Sequence, residues 1–247
     1  MRNLGSKSTP KLLDLFCGAG GAARGYQNAG FYVVGIDINP MPRYCGDEFH
    51  QGDALEYLAE HGHEFDAIHA SPPCQGYTTM NQRWSETREC HPLLIENVRE
   101  MIQCRPYVIE NVPGARNDLI NPVQLCGSFF GLGVRRHRLF ETPILLLVPE
   151  CDHPDNEIPV YGKMDGRRLW TRTDGSELRA PKNLEVARSA MGIDWMEWDE
   201  LTQAIPPAYT NFIGKQLMDY IRSNLVSTND KVAQCRGDKK NGTVENF

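Results

Sequence analysis

Apolar and polar positions in the first half of the chain alternate between two patterns. Short apolar runs that are typical of buried strands cover residues 11–16, 31–37, 65–70 and 107–112. Segments with the apolar spacing of helices lie between them, at residues 21–29, 54–60 and 92–104. Repeated strand–helix–strand units predict an α/β fold with a doubly wound, mostly parallel sheet and right-handed crossovers.

This pattern breaks down in the second half of the chain. Residues 141–183 are rich in proline, glycine and charge, with short strand candidates around Leu145 and Tyr161, and we interpret them as a small inserted subdomain. Helical spacing returns at residues 184–191 and 208–224. The predicted parts are a main domain of residues 1–140 plus 184–226, the insert at 141–183, and a polar, flexible tail at 227–247.

The predicted strands end in residues that are unusual for a buried strand. These are Cys17 and Gly18, Asp37, Ser71 to Cys74, and Glu110 with Asn111. Ligands of doubly wound sheets bind outside the carboxyl ends of the strands. The sequence therefore predicts one ligand site that collects all of these side chains.

A glycine turn follows the first predicted strand. Gly18 to Ala23 has the form G-x-G-x-x-A, and Asp37 lies 19 residues after Gly18. Glycines let the backbone approach a nucleotide and an acidic side chain accepts hydrogen bonds from ribose hydroxyls, so the pattern indicates an adenosine-containing cofactor. The alternative is a tight turn with a solvent-facing Asp37. Asp53 is open to two interpretations, a contact to the adenine amino group or a helix N-cap.

A candidate nucleophile follows the third predicted strand. Two prolines fix the backbone before Cys74 and present its thiol towards the ligand edge. A cysteine nucleophile needs groups that polarise the carbon it attacks, and Glu110 stands at the end of a neighbouring strand. Arg136 and Arg138 are predicted to share one side of an extended chain. Arg135 on the opposite side is interpreted as a solvated or phosphate-contacting residue.

Composition narrows the classes of protein. The chain has 247 residues, with 26 Lys and Arg against 32 Asp and Glu, a net charge of −6. This charge does not by itself indicate a nucleic-acid binder, although a basic cleft can lie on an acidic body. With no run of 18 apolar residues and no signal-like start, we expect a soluble, cytoplasmic protein with reduced cysteines.

Two short pairs have the residue types of metal ligands. They are Cys90 with His91, and Cys151 with His153. Neither has a second pair at the spacing of a zinc finger, so the sequence analysis assigns no metal.

The motifs and their order resemble those of the DNA cytosine-5 methyltransferases over most of residues 11–223. The matching stretches are Asp14 to Gly21, Pro72 to Thr78, Glu110 to Val112, Arg136 to Arg138, and Gln203 to Gly214. The Pro-Pro-Cys-Gln and Glu-Asn-Val sequences are the specific ones. The resemblance implies a Rossmann-like class I methyltransferase fold with a small target-recognition insert.

The resemblance also implies a mechanism. The Cys74 thiolate would attack C6 of cytosine while Glu110 donates to N3, so that C5 takes a methyl group from S-adenosyl-L-methionine. Arg136 and Arg138 would hold O2 of the base and the surroundings of the thiol. Glu110 must carry a proton at neutral pH, which predicts a pKa raised by burial. The base must be flipped out of a duplex to be reached.

The binding residues implied by the resemblance fall into two groups. The cofactor group is Phe16, Gly18, Gly20, Gly21, Asp37, Ile38, Asp53, Pro72, Gln203 and Ala204. The substrate group is Gln75, Thr78, Asn111, Arg167, Arg168 and Arg172. The arginines of the insert, with Trp170, either grip phosphates and fill the gap left by the flipped base or form a solvated hairpin.

Three rival functions remain open at this stage. The same motifs fit a tRNA cytosine-5 methyltransferase, a catalytically silent DNA-binding module, and an enzyme that transfers another group from a modified cofactor. The expected partners are double-stranded DNA and a cognate restriction enzyme, and the expected state is a monomer.

Overall fold

The chain folds around a seven-stranded sheet. The computed structural model describes residues 9–77, 93–102, 105–148, 150–153, 157–164, 169–171 and 177–227. The strands of the sheet are β1 Lys11–Leu15, β2 Tyr32–Asp37, β3 Glu48–Gln51, β4 Ala67–Ala70, β5 Tyr107–Asn111, β6 Val123–Leu125 and β7 Arg138–Glu141. Their order is β3-β2-β1-β4-β5-β7-β6, and β7 alone among them runs antiparallel to both of its neighbours. The predicted mostly parallel α/β fold is confirmed.

Six α-helices accompany the strands in the described residues. They are α1 Gly21–Asn28, α2 Ala54–His61, α3 Ile95–Ile102, α4 Leu184–Met191, α5 Trp198–Gln203 and α6 Pro207–Ser227. Local signals define several of their ends. The Asn183 side chain accepts from Val186 N at the start of α4, and Gly192 ends this helix in the left-handed conformation. None of the helices in the described residues has the length and apolar character needed to cross a membrane.

The core lies on both faces of the sheet. Side chains alternate along β1, so Leu12 packs in the cluster that includes Tyr26 of α1 and Tyr209 of α6. Leu13 and Leu15 pack on the opposite face with residues of α2 and α3. The sheet is therefore covered on both sides, and only the ends of its strands are accessible to a ligand.

Helices α1 and α6 approach each other closely at Gly25. A β-carbon at this position would overlap Thr210 Oγ1 and the carbonyl oxygen of Pro207. Thr210 Oγ1 donates to the Ala22 carbonyl oxygen at 2.9 Å, which fixes the two helices together. Helix α6 is therefore part of the main domain and packs beside the glycine turn.

An ion pair anchors β7 to α3. Arg99 binds the two carboxylate oxygens of Glu141 through Nε and Nη2, both at 2.7 Å. Tyr107 Oη and Ile120 N donate to the same carboxylate, which is 1% exposed. The Arg99 guanidinium, with these two donors, holds the pKa of Glu141 below its usual range despite burial.

The insert differs from its predicted form. Glu141, predicted to begin it, is the last residue of β7 and pairs with Ile109. Among the described residues, the structure has no strand around Leu145 or Tyr161, where the sequence predicted one. Ile144 is buried and Leu145 is exposed, as in a strand, but this alternation reflects packing on the main domain and no described strand pairs with the segment. The two strands found here are β8 Leu169–Thr171 and β9 Glu177–Arg179, which pair antiparallel.

Candidate active site

The glycine turn has the backbone that its sequence predicts. Gly18 and Gly20 have φ of 51° and 84°, and Gly20 is the N-cap of α1. Gly18 N donates to Asp37 Oδ2 at 3.1 Å, so the acid at the end of β2 is held against the turn. A β-carbon built on Gly18 would meet no atom within 4 Å, so this stretch of backbone is open to a ligand.

The residues around this turn fit an adenosine-containing cofactor. Ile38 follows Asp37 and is 67% exposed, an apolar surface beside an acid that can accept from ribose hydroxyls. Asp53 Oδ1 caps α2, accepting from Leu55 N at 2.8 Å and Glu56 N at 3.1 Å. The N-cap interpretation of Asp53 is thereby confirmed, and it is compatible with the adenine contact, which stays a prediction.

The segment between α5 and α6 reaches the same turn, as the order of the motifs predicts. Ala204 lies against Gly21, since a β-carbon added to Gly21 would be 3.3 Å from the Cβ atom of Ala204. Gln203 is the exposed last residue of α5. Phe16 has a φ of 59°, a strained value for a residue with a side chain, at the junction of β1 and the turn.

Cys74 lies at the neighbouring strand end. It follows the buried Pro72 and begins a short helical turn, in which Tyr77 N donates to the Cys74 carbonyl oxygen at 3.0 Å. Asn111 Nδ2 donates to the Pro72 carbonyl oxygen at 3.0 Å. Because Asn111 is buried and bound to this loop, it positions the loop, and the predicted substrate contact through Asn111 stays a prediction. Gln75 beside the thiol is exposed.

Glu110 and Arg138 form the charged part of the site. Arg138 Nε lies 3.0 Å from Glu110 Oε1, and both side chains are largely buried. Glu110 Oε1 accepts no hydrogen bond from the described residues, so its contact with Arg138 is an ion pair in which the N–H group does not point at the oxygen. Burial raises the pKa of Glu110, while Arg138 and Ser71 act in the opposite direction. The direction agrees with the requirement for a protonated Glu110.

Burial also raises the pKa of the Cys74 thiol, and the charge of Arg138 opposes that rise. The same arginine therefore acts on both the thiol and the carboxyl group. When Glu110 is protonated, its negative charge no longer acts on Cys74. The positive charge of Arg138 then favours the thiolate form of Cys74. The site thus couples a proton on Glu110 to ionisation of Cys74.

The guanidinium of Arg136 is bound by backbone carbonyl groups, and its predicted role beside the base stays a prediction. The φ of Arg136 is 35°, so residues 136–138 are not an extended chain, and the argument from strand alternation was wrong. The guanidinium donates to the carbonyl oxygens of Thr202 at 2.6 Å, Ala204 at 2.9 Å and Val160 at 3.0 Å. Burial lowers the pKa of Arg136 to about 9. Arg136 therefore holds the cofactor-side segment and the insert in place, while Arg135 pairs with Glu157.

A buried chain of hydrogen bonds leads to Glu110 and was not found from the sequence. Tyr26 Oη lies 2.9 Å from His69 Nδ1, His69 Nε2 lies 2.9 Å from Ser71 Oγ, and Ser71 bonds to Glu110. The chain is satisfied when each group donates to the next, from Tyr26 to Glu110. A histidine inside the apolar run of β4 was the available signal. These three residues position the carboxyl group.

We expect the stability of the protein to fall as the pH drops below 6.5 because of His69. Burial lowers its pKa to about 3, so the unfolded chain binds a proton over a range in which the folded protein does not. The free energy of unfolding should decrease by about 1.4 kcal/mol for each pH unit between 6.5 and 3 from this group. Urea unfolding at several pH values measures the slope.

The matched variants for this measurement are His69→Gln and His63→Asn, since His63 is exposed. His69→Gln should flatten the slope, whatever its effect on stability at pH 7, and His63→Asn should keep it. An unchanged slope in His69→Gln would contradict the assignment.

Four predicted substrate residues lie outside the described residues. They are Thr78, Arg167, Arg168 and Arg172. The pair Cys90 and His91 and most of the tail lie outside them as well. The roles predicted for the four substrate residues stay predictions.

The sheet order, the glycine turn after β1 and the reactive groups after β4 and β5 define a Rossmann-like methyltransferase fold. Residues 10–119 match the family model described as C-5 cytosine-specific DNA methylase. This stretch contains the glycine turn, Cys74 and Glu110, and the predicted resemblance is confirmed over these residues.

A curated relative supports the same family. Type II methyltransferase M.AgeI of Thalassovita gelatinovora is 31% identical over 88 residues. The alignment covers 30% of this chain and 20% of the relative's length. The chain is thus matched to only about a fifth of that protein.

Solved structures support the fold over more of the chain. A prophage-encoded protein of E. coli, described as a DNA modification methyltransferase, has a TM-score of 0.52 and 16% identity, covering 87% of this chain and 100% of its own. The Entamoeba histolytica methyltransferase EhMeth has the same score and identity, at 89% and 99% coverage. The S. pombe Dnmt2 methyltransferase has a TM-score of 0.52 and 13% identity, at 86% and 99% coverage.

Proposed function

We propose that this protein methylates C5 of cytosine in double-stranded DNA, with S-adenosyl-L-methionine as the methyl donor. The observation that carries the proposal is the buried Glu110 and Arg138 pair at the carboxyl end of β5, beside the Cys74 loop. The match of residues 10–119 to the C-5 cytosine-specific DNA methylase model supports the reaction. The name of the M.AgeI relative supports DNA as the substrate.

Cys74, Glu110 and Arg138 have separate roles in the proposed reaction. The Cys74 thiolate forms a bond to C6 of the cytosine while Glu110 gives a proton to N3, so that C5 becomes an enamine carbon. When bound, the cofactor supplies an electrophilic methyl group at the glycine-turn side of the site. Loss of the C5 proton to a base, with return of the N3 proton, then expels the Cys74 thiolate and restores the ring. The Arg138 charge stabilises the thiolate at both ends of this cycle.

The order of these steps explains the coupling between Glu110 and Cys74. Protonation of N3 makes C6 a better electrophile, and the proton must come from a group that holds it at neutral pH. Glu110 is suited to this role because burial raises its pKa and its Oε1 has no hydrogen bond. The target base is inside the stack of a duplex, so it must be flipped into the site first.

The test is transfer of tritium from methyl-labelled S-adenosyl-L-methionine to unmethylated duplex DNA, tRNA and free cytidine nucleotides in parallel. We expect label in duplex DNA alone, at C5 of cytosine after digestion to nucleosides. Label in tRNA alone would replace the proposal with a tRNA cytosine-5 methyltransferase. Cofactor binding without transfer to any of the three would contradict a methyl-transfer function.

A duplex that carries 5-fluorocytosine tests the covalent step. Fluorine at C5 cannot leave as a proton does, so the adduct between Cys74 and C6 persists after transfer. A cofactor-dependent complex that survives denaturing electrophoresis supports the mechanism. Its absence with active enzyme would contradict a covalent route through Cys74.

A further inference from the structure

Four side chains of metal-ligating type meet around His137, between Arg136 and Arg138. They are Cys126, His137, Cys151 and His153, and one ligand atom from each lies within 4.8 Å of all the others. They come from three separate parts of the chain. Cys126 follows β6, His137 precedes β7, and Cys151 and His153 lie in the segment beyond β7.

The separations between these atoms match the edges of a metal-centred tetrahedron. His137 Nε2 and His153 Nε2 are 3.1 Å apart. The distance from Cys126 Sγ to His153 Nε2 is 3.4 Å, and that from Cys151 Sγ to His137 Nε2 is 3.6 Å. With Zn–N bonds of about 2.0–2.1 Å and Zn–S bonds of about 2.3 Å, a regular tetrahedron places two nitrogens about 3.3 Å apart and nitrogen and sulfur about 3.6 Å apart.

We propose that Cys126, His137, Cys151 and His153 bind one Zn²⁺ ion through two Sγ and two Nε2 atoms. Two thiolates and two imidazoles form a set that suits zinc and excludes the oxygen-preferring Mg²⁺ and Ca²⁺. Two thiolates balance the charge of the ion. All four positions of the tetrahedron are filled by protein, which defines a structural site rather than a catalytic one.

Hydrogen bonds hold the sulfur of Cys126 in place. Ser128 Oγ donates to Cys126 Sγ at 3.1 Å, a hydrogen bond from outside the ligand set of the kind that orients metal ligands. The Cys126 thiol in turn donates to the Arg135 carbonyl oxygen at 3.3 Å. The site is partly buried, since Cys126 is buried and Cys151 is exposed.

The position of the ion gives it a consequence for the active site. His137 stands between Arg136, which holds Thr202, Ala204 and Val160, and Arg138, which faces Glu110. A zinc ion would fasten this motif to the end of β6 and to residues 151–153 at the start of the insert. The unusual backbone at Arg136 would then be fixed from both sides. The inference does not depend on which reaction the protein catalyses.

The experiment is to purify the full chain from zinc-supplemented medium under reducing conditions and to measure its metal content by plasma mass spectrometry. We expect one zinc ion per chain. Replacement of zinc by Co²⁺ should give the visible d–d bands of a tetrahedral site and the near-ultraviolet thiolate-to-cobalt charge-transfer band. Both readouts are independent of enzymatic activity.

The variants are Cys151→Ser and His153→Asn, chosen because neither residue is fully buried, with Cys235→Ser and His63→Asn as matched controls. The first two should lose the charge-transfer band or its intensity and most of the zinc, and the controls should keep both. Three results would overturn the proposal: zinc far below one ion per chain with no cobalt spectrum, full metal content in Cys151→Ser, or a native disulfide between Cys126 and Cys151. If a variant does not fold, the metal content and cobalt spectrum of the parent protein still decide.

Discussion

A Cys74→Ser variant is expected to lose methyl transfer to duplex DNA by a factor of about 10⁴ or more, the size of effect that follows removal of an activated nucleophile. The serine hydroxyl is close in size to the thiol, so the loop held by Asn111 should keep its shape. It does not ionise near neutral pH, however, so the Arg138 charge has no thiolate to stabilise. Single-turnover transfer of labelled methyl groups is the appropriate measurement.

Two accompanying measurements separate loss of chemistry from loss of structure. Cofactor binding by calorimetry should match the parent protein, and the 5-fluorocytosine complex should be absent. Cys235→Ser, a matched change in the predicted tail, should retain full activity. A Cys74→Ser enzyme with more than about a tenth of the parent rate would place the nucleophile elsewhere, because so small a loss is far below that of a removed nucleophile.

An Arg99→Met variant is expected to reduce the free energy of unfolding by about 3–5 kcal/mol, the range for breaking a buried ion pair by removing one partner. Methionine keeps most of the unbranched apolar stem of the arginine side chain, so the main effect is loss of the guanidinium charge and its hydrogen bonds. Glu141 would remain 1% exposed with a carboxylate that has lost two bonds of 2.7 Å. Urea unfolding at pH 7 measures the loss directly.

The pH dependence gives this prediction a second readout. Since the pKa of Glu141 is held below its usual value, the stabilisation is present above the unfolded pKa of about 4.3 and disappears as the pH falls through the folded pKa. Arg99→Met should therefore flatten the acid limb of the stability curve. The matched change Arg43→Met breaks the ion pair between Arg43 and Glu200. Because the Arg43 side chain is 45% exposed, this change should reduce the free energy of unfolding by less than about 1 kcal/mol. Equal losses in the two variants would refute the special role of the buried pair.

The parts of the fold that sequence reasoning found are those with strong local signals. The four central strands are apolar runs buried on both faces, and α2 begins at an Asp53 N-cap. The elements that it missed are short and depend on neighbours. Strand β6 has three residues, of which only Leu125 is buried, and it pairs with β7. The capping box of Glu197 and Glu200 at α5 was a local signal that went unused.

The candidate reactive residues could be selected from the sequence because they occur in short motifs at strand ends, as Cys74 and Glu110 do. What could not be predicted was the conformation around them. The backbone of Arg136 has a positive φ, and the alternation of side chains along a strand cannot predict such a conformation. The cluster around His137 draws on residues far apart in the sequence, and only the fold shows that Cys126 and Cys151 converge.

The junction of α1 and α6 has a consequence for synthesis of the protein. The part of the site around the glycine turn joins Gly21 and Gly25, made early, to Ala204 and Thr210, made late, so a nascent chain cannot complete it until α6 has left the ribosome.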